Sequence, residues 1–363
     1  MSTITTNYLT PTGREEAWRF TPLKRLGGLH DGSALRSDRK SLIMKSQEQL
    51  GVCFERLSRE LVGYESETDD VIVARIRENA ADVAVLTISA NTEVSDPIFF
   101  GRSAGAIDTA ELSRVRIILK NHATATVIVE NTGDALLAED IEFTLEPGSN
   151  LTFVSLQEWN STSIHAARHH AIVDRDATFK SVIVTVGGNL VRLLPTVEFV
   201  GPGASCNLLG VYFATAGQFF EHRMFVDHKV PNAKSNVNYK GALAGVGAHT
   251  VWIGDVFIRA AAEGTDTYEL NRNLLLTDGT RADSVPNLEI ETGEIVGAGH
   301  ASTTGRFDDE QLFYLMSRGI TMADARRLVV RGFFSEIISE IGIESIQNRL
   351  MDRIDDELAK AGN

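Results

Sequence analysis

The sequence predicts a mainly β protein, a β-solenoid core with a helical cap before it and a helical segment after it. From about Ala84 the hydrophobic period changes from helical to two and holds through a long series of short runs. These strands continue without an intervening long helix, far beyond the roughly 100 residues of an ordinary sandwich. Polar strands also recur among them, as at residues 234–240 (KSNVNYK), which suits a flattened solenoid with one wet face. No strict repeat marks the chain, and sandwiches and barrels are also built from many short strands. Strand number and extent favour the solenoid.

Residues 1–66 read as a small cap. Thr12 and Gly13 precede a helix-like run at 14–20 with acids in its first turn, as the helix dipole favours, and Pro22 stops it. Trp18 in this run is expected to pack rather than to hold a ligand. A second helix is expected over 41–50 and a third over 68–83. Strand runs follow at 115–119, 123–130, 141–145, 151–156, 170–173, 178–186, 190–199, 204–213 and 219–226. They are separated by turn residues such as Pro147-Gly148 and Gly201-Pro202-Gly203. From Asp308 the helical period returns, and Ile341, Ile346, Leu350, Ile354 and Leu358 form one apolar stripe. The expected division is 1–83 cap, 84–305 core and 306–363 helical segment.

Composition narrows the function. A formal charge of -14 argues against nucleic acid, whose phosphates need a basic face. The start, MSTITTNYLTPTGREEAW, has neither the basic nor the apolar region of a signal peptide, and no apolar run is long enough for a membrane span. With only 2 cysteines, Cys53 and Cys206, a disulfide framework and a cysteine zinc site are not expected. The cytoplasm is the expected compartment.

Independent catalytic chemistry is sparse. His169 and His170 are adjacent in a strand and must point to opposite faces. His222, Asp227 and His228 suggest a cupin-like metal site, but a third histidine at suitable spacing is missing. Asp308 and Asp309 could be the acid pair of a β-helix carbohydrate-active enzyme. They directly precede a helix, however, where acids cap. No phosphate loop, nucleophile elbow or HExxH motif occurs, so neither ATP hydrolysis nor any other independent catalysis is expected. His300 stands apart, since Gly297-Ala298-Gly299 and Ala301-Ser302-Thr303 leave its imidazole open to a partner or a metal.

The segment 299–305 (GHASTTG) with 312–320 (LFYLMSRGI) resembles a sequence block of the SufB/SufD family of iron–sulfur cluster assembly proteins. Residues 14–23 (REEAWRFTPL), 225–228 (FVDH) with Ser235 and 239–241 (YKG), 273–276 (NLLL) with 282–290 (ADSVPNLEI), and 326–333 (RRLVVRGF) resemble further family motifs in the same order. The likeness runs almost the full length and is of the SufD type. It implies a right-handed parallel β-helix and a non-enzymatic role in a cluster-assembly scaffold.

The partners it implies are a SufB-type subunit met at the solenoid end and a SufC-type ATPase bound by the C-terminal helices. Sulfur would arrive from a cysteine desulfurase. A nascent iron–sulfur cluster or iron would be shared with the partner, reduced flavin is a further implied cofactor, and self-pairing is left open. Where the family often has Cys-x-His, this chain has Ala298-Gly299-His300, so the resemblance leaves His300 as its metal ligand. Tyr314, Arg318, Gly319, Arg326, Arg331 and Phe333 are the expected ATPase-facing residues.

Overall fold

A computed structural model describes residues 8–64 and 66–361; residues 1–7, the first part of the start in which no signal peptide is expected, lie outside the described residues. The chain forms a parallel β-solenoid of about eight turns. Its last coils are built from β11 (Ser205–Ala214), β12 (Phe219–His228), β13 (Lys234–Leu243), β14 (His249–Ile258), β15 (Thr265–Leu275), β16 (Arg281–Ile290) and β17 (Ile295–Arg306). Each strand pairs in parallel with the strand two further on, so even- and odd-numbered strands build two opposed sheets. The earlier coils are β7 (Asn150–Trp159), β8 (Ile164–Val173), β9 (Thr178–Thr185) and β10 (Leu190–Phe199). The sheets diverge from β6 (Thr124–Leu145), whose first half pairs with β7 and second half with β8.

Three apolar layers explain why the strands read as nearly continuous hydrophobic runs. Between the sheets lie Phe143, Phe153, Phe179, Phe199, Tyr212 and Trp252. Outside the even sheet, Trp18, Leu26, Ile72 and Ile76 of the N-terminal region pack on Leu136, Leu190 and Phe219. Outside the odd sheet, Val182, Val211 and Phe213 are covered by Val330, Phe334, Ile337, Leu350 and Ile354. Those residues belong to α3 (Met322–Ser339) and α4 (Glu344–Ala361), reached through α2 (Asp309–Ser317). Trp18 is a packing residue, as expected, with the Arg192 guanidinium 4.0 Å above its ring.

The N-terminal region differs from the sequence reading. The expected helix at 41–50 is instead a strand, Leu42–Met44, antiparallel to β5 (Ile98–Leu119). Leu42 faces inward while Ile43 is exposed, so the local pattern alternates with period two. Residues 14–20 contain only a single 3-10 turn, Glu16–Trp18. The third expected helix is present as α1 (Val71–Asn79), where the Asp70 side chain accepts hydrogen bonds from the Ile72 and Val73 amides. Strand β5 begins well before the expected run at 115–119; its first part opens on Ile98, Phe99 and Phe100, but Gly101, Arg102 and Gly105 break the apolar run at once. Strands Arg36–Ser37, Val52–Ser58 and Asp82–Ile88 complete this end and are numbered β1, β3 and β4, with Leu42–Met44 as β2.

Candidate functional site: the open end of the solenoid

The solenoid ends without a cap. Among the described residues β16 pairs only with β14, and β17 only with β15, so each leaves one edge of its backbone free. Side chains that face inward in earlier coils therefore reach solvent in the last one. The inward column of β15, with Thr267, Glu269 and Asn271, continues in register into Ala298, His300 and Ser302 of β17. His300 is exposed on that column. Gly299 beside it closes over the Tyr268 ring, where an added Cβ would stand 3.2 Å from the ring carbon.

Beneath His300 lies Glu269, only 1% exposed. Among the described residues neither of its carboxyl oxygens has a hydrogen-bond partner. Burial pushes its carboxyl up to about 8, and the Asp255 carboxylate adds to the shift. Its side chain crosses the interior towards Gly254 on β14, where a Cβ would lie 2.6 Å from Oε1. Sequence reasoning passed over Glu269. The signal was an acid at an inward position of the alternating run TYELNRN, between Thr267 and Asn271.

A polar chain runs inward from the same end. The Ser302 hydroxyl donates to Ser284 at 2.7 Å, and Ser284 donates to Asn271 at 2.6 Å. Asn271 donates to the Tyr212 hydroxyl at 3.0 Å, and Tyr212 donates to Asn273 at 2.6 Å. Tyr212 is wholly buried. The chain's two thiols are elsewhere. Cys206 lies in the column of Ala298, three coils beneath it through Ser235 and Thr267, and burial pushes its thiol up strongly. Cys53 lies on β3, near the other end.

The remaining candidates are placed apart. His169 stands edge-on to Phe153 at 5.3 Å and to Phe143 at 6.5 Å, while His170 faces the opposite way, its Nδ1 2.7 Å from the Thr196 hydroxyl. His222 stacks on Tyr212 at 5.1 Å and meets Thr185. His228 meets Ser235, and Asp227 pairs with Arg259. His222 and His228 share the inner face of β12 but stand six residues apart, about 20 Å along a strand. Among the described residues no group of three or more His, Cys, Asp or Glu could hold a metal ion, which leaves a cupin-like centre without its ligands. Asp308 is the N-cap of α2, accepting from the Glu310 and Gln311 amides.

The expected partner residues split into two groups. Tyr314 is 56% exposed, with Arg318 bonded to its hydroxyl and lying over its ring. Gly319, with φ +87, ends α2 in the left-handed region that favours glycine. Arg326 lies over the Phe307 ring. Arg331 is engaged within the chain by Asp355 at 2.6 Å, and Phe333 packs beneath Lys240. The helices also expose Phe313, Met316, Met322 and Leu328.

A two-sheet parallel solenoid, flanked on both outer faces and left open at one histidine-bearing end, defines a β-solenoid protein with an unfinished last coil. Residues 100–333 match the family model described as SUF system FeS cluster assembly, SufBD core domain. The chain belongs to the SufBD family of iron–sulfur cluster assembly proteins. It is 45% identical over 96% of its length, and 89% of the relative's, to iron-sulfur cluster assembly SufBD family protein Rv1462 of Mycobacterium tuberculosis. A Mycobacterium leprae protein of the same description is 46% identical over 96% of this chain and 90% of its own. A second M. tuberculosis family protein, Rv1461, is 28% identical over 58% of this chain and 25% of its own. No described helix is long and apolar enough to cross a membrane.

Proposed function

We propose that this chain is the SufD-type, non-enzymatic half of a cytoplasmic cluster-assembly scaffold. It pairs through its open end with a SufB-type subunit and binds a SufC-type ATPase through the segment 306–363. The exposure of His300 on an inward-facing column of the uncapped coil carries this reading. A histidine in that column would be covered in any other coil; here it is presented to whatever completes the end. Imidazole is a good ligand for iron. Ala298 and the distant cysteines mean that the thiolates of a nascent cluster must come from the partner, and its sulfide ultimately from a desulfurase. Two distinct family members in M. tuberculosis are consistent with such a pair.

The free edges of β16 and β17 suit strand addition by another chain. The exposed Phe313, Tyr314 and Leu328 offer an apolar surface for the ATPase, with Arg318 at its rim. The test is co-expression with SufB-type and SufC-type partners, with complex mass by light scattering and iron after anaerobic assembly. His300→Ala is expected to keep the mass and lose the iron. Unchanged iron in that variant would remove His300 from the cluster, and failure to form any complex would remove the scaffold role.

A further inference from the structure

Iron held by one imidazole of this chain needs further donors, and the coil beneath His300 holds one. We propose that Glu269 is the second metal donor of the open end, its carboxylate binding the same iron as His300; this rests on the scaffold reading above.

The two residues occupy successive positions of one inward column, directly paired between β15 and β17. Neighbouring strands lie about 4.8 Å apart, so an ion between the two side chains is within reach of both. The carboxylate is otherwise unexplained. Buried polar groups are almost always hydrogen-bonded, yet both oxygens of Glu269 lack a partner, and among the described residues it forms no ion pair. A cation entering from the open end would displace the carboxyl's proton into solvent and satisfy both oxygens.

The surroundings make room for it. Gly254 lies opposite, and any side chain there would meet Oε1; the Trp252 ring edge closes the same space. These walls keep water from the carboxylate and strengthen its attraction for a cation. A carboxylate is a hard oxygen donor, and with an imidazole it suits iron(II). Two donors from this chain leave positions open for a partner's thiolates.

The test titrates the full chain anaerobically with cobalt(II), a spectroscopic stand-in for iron(II), and follows the d–d absorption. Wild type, Glu269→Gln and His300→Ala are compared, with circular dichroism confirming the fold of each. Glutamine is nearly isosteric and uncharged, so the variant is expected to melt no lower than wild type. Both variants are expected to bind cobalt at least tenfold more weakly, and Glu269→Gln to change the band shape of whatever cobalt it holds. If Glu269→Gln titrates like wild type while His300→Ala is weakened, Glu269 is not a ligand and the role of His300 survives. If His300→Ala titrates like wild type, His300 is not a ligand and the shared site fails, while the scaffold role is decided separately by complex formation. Absence of a cobalt band in wild type overturns the two-donor site, while the scaffold reading keeps its own test in the assembled complex.

Discussion

Arg102 and Glu139 meet at 2.6 Å inside the solenoid, with both side chains out of solvent. Asn131 and the Ser113 hydroxyl complete the contacts of the guanidinium. Burial alone would push the Glu139 carboxyl up, but Arg102 and His165 hold it well below the usual range. Removing one partner strands the other charge. Arg102→Ala is expected to cost about 3–5 kcal/mol in urea unfolding, whereas Arg102→Met with Glu139→Leu should return most of the loss. A double variant no better than the single would show that the pair itself is stabilising.

Four histidines give the fold an acid limit. Unfolded, each takes up a proton near pH 6.5; folded, burial pushes His169 and His228 down to about 4 and His170 and His222 down to about 3. Below pH 6.5 the unfolded chain therefore binds more protons, and stability falls as the pH drops towards these folded values. Each histidine contributes a slope of about 1.4 kcal/mol per pH unit while it titrates in the unfolded state alone. The melting temperature should decline steeply between about pH 6.5 and 4.5, and His169→Phe, which keeps an aromatic ring beside Phe143 and Phe153 without a titrating group, should flatten the decline. A profile flat across that window would contradict the neutral buried state.

Asp70 does two things. One oxygen caps α1, and the other meets Arg192 Nη1 at 2.7 Å, tying the N-terminal region to β10. Asp70→Ala is expected to lose about 1 kcal/mol for the cap, and more for leaving the buried Arg192 with Glu221, 3.6 Å away, as its remaining carboxylate partner. Asp70→Asn keeps a capping oxygen and isolates the charge. Equal losses in the two variants would mean that the cap adds nothing.

In the C-terminal helices, stability and the proposed partner binding fall on different residues. Phe334 is buried against the odd sheet, so Phe334→Ala should cost about 3–5 kcal/mol. Phe313 is 72% exposed, and Phe313→Asp should shift stability by no more than about 0.5 kcal/mol. The same aspartate is expected to abolish co-purification with a SufC-type ATPase. Retained co-purification would move the docking surface away from α2.

Much of this architecture was legible because the strands obey one rule. In the middle coils they are buried on both faces, so runs such as LVRLLPTVEF and SCNLLGVYFA betray their strand length directly. The rule failed where a charge is buried within a strand. Arg102, with Gly101 and Gly105, hid the first part of β5, since its inward arginine is balanced only by Glu139, many residues away. Residues 41–50 were misread because β2 is only three residues long, too short for a period to show. His300 was legible through its small neighbours and the family motif. Glu269 was not, because what distinguishes it is the absence of partners, and that is a property of the packed interior.

The two ends of the solenoid also set its polymer chemistry. At one end β3 lies antiparallel to β4 and carries Glu55 and Arg56, so a parallel coil cannot simply be stacked onto it. At the other, β16 and β17 stop with their edges unpaired. Head-to-tail growth into a fibre needs two complementary ends. Among the described residues the first coil presents the antiparallel strand β3 at its edge and the last coil the parallel strands β16 and β17, so under the proposed pairing a join made at the last coil yields a closed pair and terminates.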